Sequence, residues 1–248
     1  MKTSIVSVIA IAMLGACAVT DPDGERIGET SRDVAVLAGP FNVDVFYENF
    51  NRLNLGSING QNGWVGDCLV VPGLERADKN LDCTGGPGLI NGRGAMHSFY
   101  RPPGRNYHFQ FDAWQSGVVD ATHGKVFLEN PPGDGTHTIL QFAIGCLGVR
   151  ASFEYHGNTS RTLLSNPSCL NGVRYRVACI WHDGGSEFRC GASVYPADPD
   201  ESQFVSIPAI GDHGEPEYIG PFDRVRVLGG IGQRPGTTTY DKIQVLSD

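Results

Sequence analysis

From Val43 onward, apolar and polar residues alternate with a period of two. Tyr107 to Trp114 sets Tyr107, Phe109, Phe111 and Ala113 against His108, Gln110, Asp112 and Trp114. Val149 to His156 sets Val149, Ala151, Phe153 and Tyr155 against Arg150, Ser152, Glu154 and His156. Val173 to His182 sets Val173, Tyr175, Val177, Cys179 and Trp181 against Arg174, Arg176, Ala178, Ile180 and His182. Successive residues of a strand point to opposite faces, so each segment predicts a strand with one apolar and one polar face. Further strands are predicted at 95–100, 124–129, 137–144, 187–195, 222–228 and 240–246. Breakers such as Pro102-Pro103-Gly104, Pro131-Pro132-Gly133 and Asp183-Gly184-Gly185 separate them. About ten short strands in one domain predict an all-β fold of two stacked antiparallel sheets.

One hairpin can be registered by counting. With Asp183-Gly184-Gly185-Ser186 as the turn and His182 facing Glu187, Cys179 falls directly opposite Cys190. Both then stand on the apolar face with Tyr175, Val177, Phe188 and Ala192. Non-hydrogen-bonded partners approach to about 4.5 Å between Cα atoms, near the lower limit of disulfide geometry, so a Cys179–Cys190 bridge is expected.

Ahead of these strands the pattern changes. Lys2 is followed by an apolar run from Ile5 to Leu14, broken only by Ser7. The run is too short for a bilayer, which needs ~20 apolar residues, and it fits the apolar stretch of a secretory signal. It ends in Leu14-Gly15-Ala16-Cys17, which resembles a bacterial lipobox. The resemblance implies cleavage before Cys17 and a diacylglyceryl anchor on its sulfur. Residues 1–16 are thus expected to be a lipoprotein signal peptide, and residues 17–41 a polar tether with mixed charge. The ~22 residues from Ala18 would reach roughly 25–28 Å as a flexible coil. Residues 42–248 form the expected β-domain. The implied location is lipid-anchored on a bacterial membrane, at the outer membrane or cell surface, with membrane contact through the anchor only.

Cysteine usage agrees with export. Of seven Cys, Cys17 is the odd one; Cys68, Cys83, Cys146, Cys169, Cys179 and Cys190 remain. Six in an exported chain predict three disulfides. Closeness in sequence pairs Cys68 with Cys83 and Cys146 with Cys169. No close Cys pair suggests zinc. Thirty-three Gly, 15 Pro and only three Met match strands joined by many turns. One of the 19 basic residues, Lys2, lies in the leader, which leaves 18 against 27 acids. That excess of negative charge argues against nucleic acid as a partner.

Several segments carry a family resemblance. Phe46-Tyr-Glu-Asn-Phe50, then Leu55-Gly-Ser-Ile-Asn-Gly-Gln-Asn-Gly-Trp64, resembles the opening of many bacterial concanavalin A-like (LamG-like lectin/glucanase) domains. The Val173–Tyr195 hairpin is similar to their long central pair. Phe222–Leu228, and Tyr240-Asp-Lys-Ile-Gln-Val245 after a Gly-rich loop, resemble their closing strands. The resemblance runs from about residue 44 to the end and implies a two-sheet antiparallel jelly-roll sandwich, concanavalin A-like. It also implies a structural Ca²⁺ where the first and last strands meet, with Asp241 and Glu48 as candidate ligands; the second Asp of that family motif is Lys242 here. No other cofactor is required.

The fold serves lectins, hydrolases, lyases and structural modules, so function must come from the site. The Glu-x-Asp-x-x-Glu strand of laminarinase-like glucanases is absent, as are the alginate lyase strands and the Gly-x-Ser-x-Gly elbow. The polar strand faces nominate a glycan site on one concave face: Trp114, His108, Gln110, Asp112, Gln141, Arg150, Glu154 and Arg176, beside Arg174, His156 and His182. An aromatic ring among hydrogen-bonding side chains suits a pyranose, and Trp114 is the expected platform. An Arg/Gln/His cluster also suits uronate chemistry. Asp112 and Glu154 read equally as partners of Arg150, Arg174 or Arg176, on an ordinary hydrated sheet face. Trp64 and Trp181 belong to the core. Three functions remain open: a non-enzymatic glycan-binding module, which leads; a polysaccharide lyase or glycoside hydrolase; and a structural envelope protein.

Overall fold

The computed structural model describes residue 41 and residues 43–73, 77–85, 94–102, 104–117, 123–130, 139–155, 157–170, 172–210, 219, 222–231 and 236–248. Of Gly117, His123, Ile139, Glu154, Tyr155, Gly157, Asn158, Thr159 and Ile231 only the backbone is described. The expected leader, Cys17 and the tether up to residue 40 lie outside the described residues, as do His156 and the side chain of Glu154.

Sixteen strands run along these residues: β1 Val43–Glu48, β2 Gly56–Ser57, β3 Val65–Gly66, β4 Leu69–Pro72, β5 Lys79–Thr84, β6 Gly94–Ser98, β7 Asn106–Gly117, β8 His123–Glu129, β9 Ile139–Gly145, β10 Gly148–Tyr155, β11 Gly157–Ser165, β12 Tyr175–His182, β13 Glu187–Val194, β14 Val205–Pro208, β15 Arg224–Ile231 and β16 Gly236–Ser247. Among the described residues the one helical element is the 3₁₀ turn Glu201–Gln203. The strands form two antiparallel sheets stacked as a jelly-roll sandwich. The nine-stranded sheet has the order β14-β13-β12-β7-β16-β5-β4-β2, with β1 also paired to β16; the seven-stranded sheet has the order β11-β10-β9-β8-β15-β6-β3. The apolar–polar alternation found nine of these strands, and the family resemblance adds β1. It misses β2 and β3, which are two residues long, and β11, an edge strand whose residues Ser160–Thr162 are exposed and need no apolar face. It also misses β4, β5 and β14.

The apolar positions of both sheets meet in one core. Phe109 and Phe111 of β7 pack on Phe142 of the opposite sheet, at ring distances of 5.9 and 5.3 Å. Phe188 of β13 meets Phe153 at 5.4 Å. Trp181 stacks on Tyr107 and, like Trp64, is buried in this core as its position on the apolar pattern predicts.

The β12–β13 hairpin has the register obtained by counting: Cys179 pairs with Cys190, Tyr175 with Val194 and Val177 with Ala192. Cys179–Cys190, Cys68–Cys83 and Cys146–Cys169 are all joined as disulfides. Such bridges belong to oxidising compartments, so the domain is that of an exported protein.

Glu48 corrects one expectation. Its Oε1 accepts the Phe50 amide at 2.7 Å, and its Oε2 accepts Asn62 Nδ2 at 3.0 Å and the Trp64 indole at 3.2 Å. The carboxylate therefore closes the Asn49–Trp64 segment over the end of the core. The same turn needs Gly63: its φ is +80°, and a Cβ there would come within 2.9 Å of the His97 ring. Glu48 pairs with Ile243 and stands with it on the interior face, whereas Asp241 pairs with Asp112 on the outer face. A bulge between Asp241 and Ile243 produces this switch. Glu48 and Asp241 are thus on opposite sides of the sheet and do not form the expected Ca²⁺ pair. Among the described residues no group of three His, Cys, Asp or Glu is placed to hold a metal ion.

Candidate functional site

β7 runs through the nine-stranded sheet between β12 and β16, and its polar residues His108, Gln110, Asp112 and Trp114 all face outward. Arg176 of β12 lies directly across from Asp112 on one side, and Asp241 of β16 lies directly across on the other. The outer face therefore gathers five of the expected residues, His108, Gln110, Asp112, Trp114 and Arg176, together with Arg174, Asp241 and Gln244.

Three expected residues are elsewhere. Gln141 is on β9, and Arg150 and Glu154 are on β10, all in the seven-stranded sheet. Alternation told which face of a strand is polar but not which sheet the strand joins. Gln141 accepts from Lys125 Nζ at 2.8 Å, and Arg150 is exposed. The single concave face read from the sequence is in fact two outer faces on opposite sides of the sandwich.

Asp112 organises the first of them. It is fully buried, and Arg176 grips it with two hydrogen bonds, Nε to Oδ1 at 2.8 Å and Nη2 to Oδ2 at 3.0 Å. Arg174 Nη2 adds a third, to Oδ2 at 2.8 Å, and also donates to Asp241 Oδ2. Arg176 Nη1 reaches Asp198 Oδ1 at 2.7 Å. Two guanidiniums are thus shared among three carboxylates, as the sequence anticipated for Asp112. Burial works against the charge of Arg176, but Asp112 and Asp198 outweigh it and hold the side chain more firmly protonated than usual. Burial raises the Asp241 carboxyl to about 6, against the pull of Arg174 and with a smaller push from Asp78 and Asp112.

Above this network lie two aromatic rings. The Arg174 guanidinium sits 5.2 Å from the Trp114 ring centre and 3.8 Å from that of Tyr195, so it lies over both rings. Tyr195 begins the loop from β13 to β14, which folds back over the sheet. Asp198 ties it to Arg176, and Phe204 lies on Gly191, where a Cβ would come 2.6 Å from its ring. Tyr195 is 39% exposed, the Arg174 side chain is 21% exposed and Trp114 is half-buried. Sequence reasoning read Tyr195 only as the end of a strand, and it missed Asp198, which lies in a loop where period-two alternation carries no signal.

Farther along β7 the face closes. His108 and Gln110 are buried, and among the described residues neither ring nitrogen of His108 nor Nε2 of Gln110 has a partner. Burial, and secondarily Lys242, lowers His108 to about 4. Beyond it, next to Phe41 and the turn end of β12 and β13, an open cavity of about 350 Å³ is lined by Ile180, His182 and Arg189 among others.

No protein-family model matches the chain, and no curated protein matches it in sequence. Solved structures do. A carbohydrate esterase from Shiga toxin-encoding bacteriophage phi24B aligns with a TM-score of 0.55 at 13% identity, over 84% of this chain and 99% of that one. The binding domain of botulinum neurotoxin serotype D/C aligns at 0.52 and 8% identity, over 82% of this chain and 48% of that one. A protein from Mycobacterium abscessus provisionally called a beta-glucanase aligns at 0.51 and 10% identity, over 82% and 99%. At such identities the similarity establishes the jelly-roll fold and nothing finer.

Proposed function

We propose that this chain is an exported, lipid-anchored glycan-binding module of the concanavalin A-like type, without catalytic activity of its own. The observation that carries this reading is the Trp114–Arg174–Tyr195 stack at the surface of a sheet whose carboxylates are already engaged. A sugar presents an apolar ring face and a rim of hydroxyls. The half-exposed aromatic rings suit the first and the guanidinium donors suit the second. The names of two structural neighbours, a carbohydrate esterase and a provisional beta-glucanase, fall in the same substrate class.

A glycoside hydrolase has one observation in its favour, the Asp241 carboxyl raised to about 6 beside Asp112. Hydrolysis needs two carboxylates free to flank a bond. Asp112 has no exposed surface and its oxygens are closed by two guanidiniums, so the pair supplies at most one working group. A uronate lyase would need surplus positive charge, and Asp112, Asp198 and Asp241 neutralise Arg174 and Arg176.

Trp114→Ala is the test of the binding surface. Losing a ring contact of this kind costs roughly 1–3 kcal/mol, so binding to the preferred glycan on an array weakens at least several-fold. Thermal melting of the same variant must stay close to that of the parent. Lost stability with unchanged affinity would return Trp114 to a packing role, and a parent that binds no glycan would favour a structural envelope protein.

The anchor is tested separately. Cys17 ends a signal-like run at a small-small-Cys junction, and Cys17→Ser is expected to leave the membrane fraction or to remain unprocessed. A variant that stays anchored and is processed as before would exclude lipidation at this residue.

A further inference from the structure

The cavity of about 350 Å³ stands apart from the Trp114 stack. Asn106, on its wall, lies eight residues back along β7 from Trp114, which is roughly 26 Å at the rise of an extended strand. The buried stretch at His108 and Gln110 lies between them. The two places are therefore separate sites.

Its lining combines an apolar surface with directed polar groups. Ile180 and Phe41 supply the apolar part. The His182 Nδ1 nitrogen lies 3.0 Å from Asn106 Oδ1, while Asn106 Nδ2 donates to Asp248. Asn106 Oδ1 is then the acceptor and His182 Nδ1 carries the proton. Ser186 adds a hydroxyl. Glu187 accepts from Ser206 Oγ through Oε2 at 2.6 Å.

Arg189 sets the charge preference. Arg101, Arg105, Arg174 and Arg176 each have a carboxylate within ion-pair distance. Arg189 has none among the described residues; its guanidinium makes one hydrogen bond, to the Glu201 carbonyl at 3.4 Å. It is an exposed cation with open donors in the wall of a cavity. Next to the cavity but not in its lining, His108 is the direct cross-strand neighbour of Ile180 and lies 5.8 Å from the Phe41 ring; it is buried, and among the described residues neither of its ring nitrogens has a partner.

We propose that this cavity is a second saccharide site, selective for a single sugar ring that carries an anionic group, a carboxylate or a sulfate. Its size lies at the small end of ligand pockets, enough for one ring. The ring's apolar face rests on Phe41 and Ile180, its hydroxyls meet His182 and Ser186, and its anionic group pairs with Arg189. Only the choice of a sugar rests on the glycan-binding function proposed above; the preference for an anion rests on Arg189.

The test is titration of the full chain with methyl glucuronide, glucose 6-sulfate and methyl glucoside. At least one anionic sugar is expected to bind ten-fold or more tightly than methyl glucoside. Arg189→Gln removes that difference, Arg189→Lys keeps part of it, and Trp114→Ala leaves it unchanged. Whichever of glucuronide and sulfate binds more tightly identifies the anionic group. Equal binding of charged and neutral sugars, no binding of any, or a preference that survives Arg189→Gln overturns the site. Polymer binding that still depends on Trp114 in those cases shows that the first surface stands alone. An anion preference without Trp114-dependent polymer binding keeps this site and removes the other.

Discussion

Asp112→Ala lowers the stability of the domain by about 3–5 kcal/mol, the usual cost of removing one partner from a buried ion pair. The size follows from what is left behind. Arg176, buried on the outer face of β12, loses two hydrogen bonds and keeps only Asp198; Arg174 keeps only Asp241. Buried Arg176 and partly exposed Arg174 are then left with too few acceptors. Replacing the charges together behaves differently. Asp112→Leu with Arg176→Leu is expected to be less destabilised than Asp112→Ala alone, because no buried charge is orphaned at that position. Urea unfolding of the three proteins decides the matter. A double variant at least as unstable as Asp112→Ala would mean that packing, not charge, governs this region.

Acidification separates two further variants. Asp241 is raised from 3.8 to about 6 in the fold, mainly by burial. A raised carboxyl stabilises the fold below its unfolded pKa, and that contribution is lost as the pH rises through about 6. His108 is lowered from 6.5 to about 4, again mainly by burial. A lowered histidine stabilises the fold above 6.5, and that contribution is lost as the pH falls through about 4. Each displacement corresponds to about 3 kcal/mol at 1.36 kcal/mol per pH unit. The groups facing Asp241 are Arg174, Asp112 and Asp78, and the one facing His108 is Lys242. Between pH 4 and 6 the two contributions run in opposite directions and largely cancel. Asp241→Asn leaves His108 uncompensated, so relative to the parent it loses stability as the pH falls from 6 to 4. His108→Phe does the reverse and gains stability over the same range. Unfolding free energies of both variants and the parent across pH 4–7 test this; two variants that track the parent at every pH would refute it.

What could be read from the sequence depended on the kind of information required. The Cys179–Cys190 pairing follows from a turn and a period of two, both local, and it holds. The polar outer face of β7 follows from the same alternation. Whether β9 and β10 join that sheet or the opposite one depends on pairing across the whole chain, and there Gln141, Arg150 and Glu154 were misplaced. Glu48 shows another limit. Its segment is recognisable, but the purpose of the carboxylate depends on the Trp64 indole arriving from 16 residues away, which turns a suspected metal ligand into the acceptor that closes a turn. Tyr195 reads only as the end of a strand and Asp198 lies in a loop without periodicity; their positions matter only once Arg174 and Arg176 stand beneath them.

The position of β16 has a consequence for how the chain reaches this state. It comes last in the order of strands, yet it pairs with β7 along one side and with β1 and β5 in succession along the other. Val43 meets Ser247, so the contact closes a loop of about two hundred residues. Contacts of such separation are slow to form, because the entropy of closing the loop is lost before the contact returns any stability. The middle of the nine-stranded sheet cannot be completed while the final strand is still being synthesised or threaded across a membrane. Until then β1, β5 and β7 lack their common neighbour.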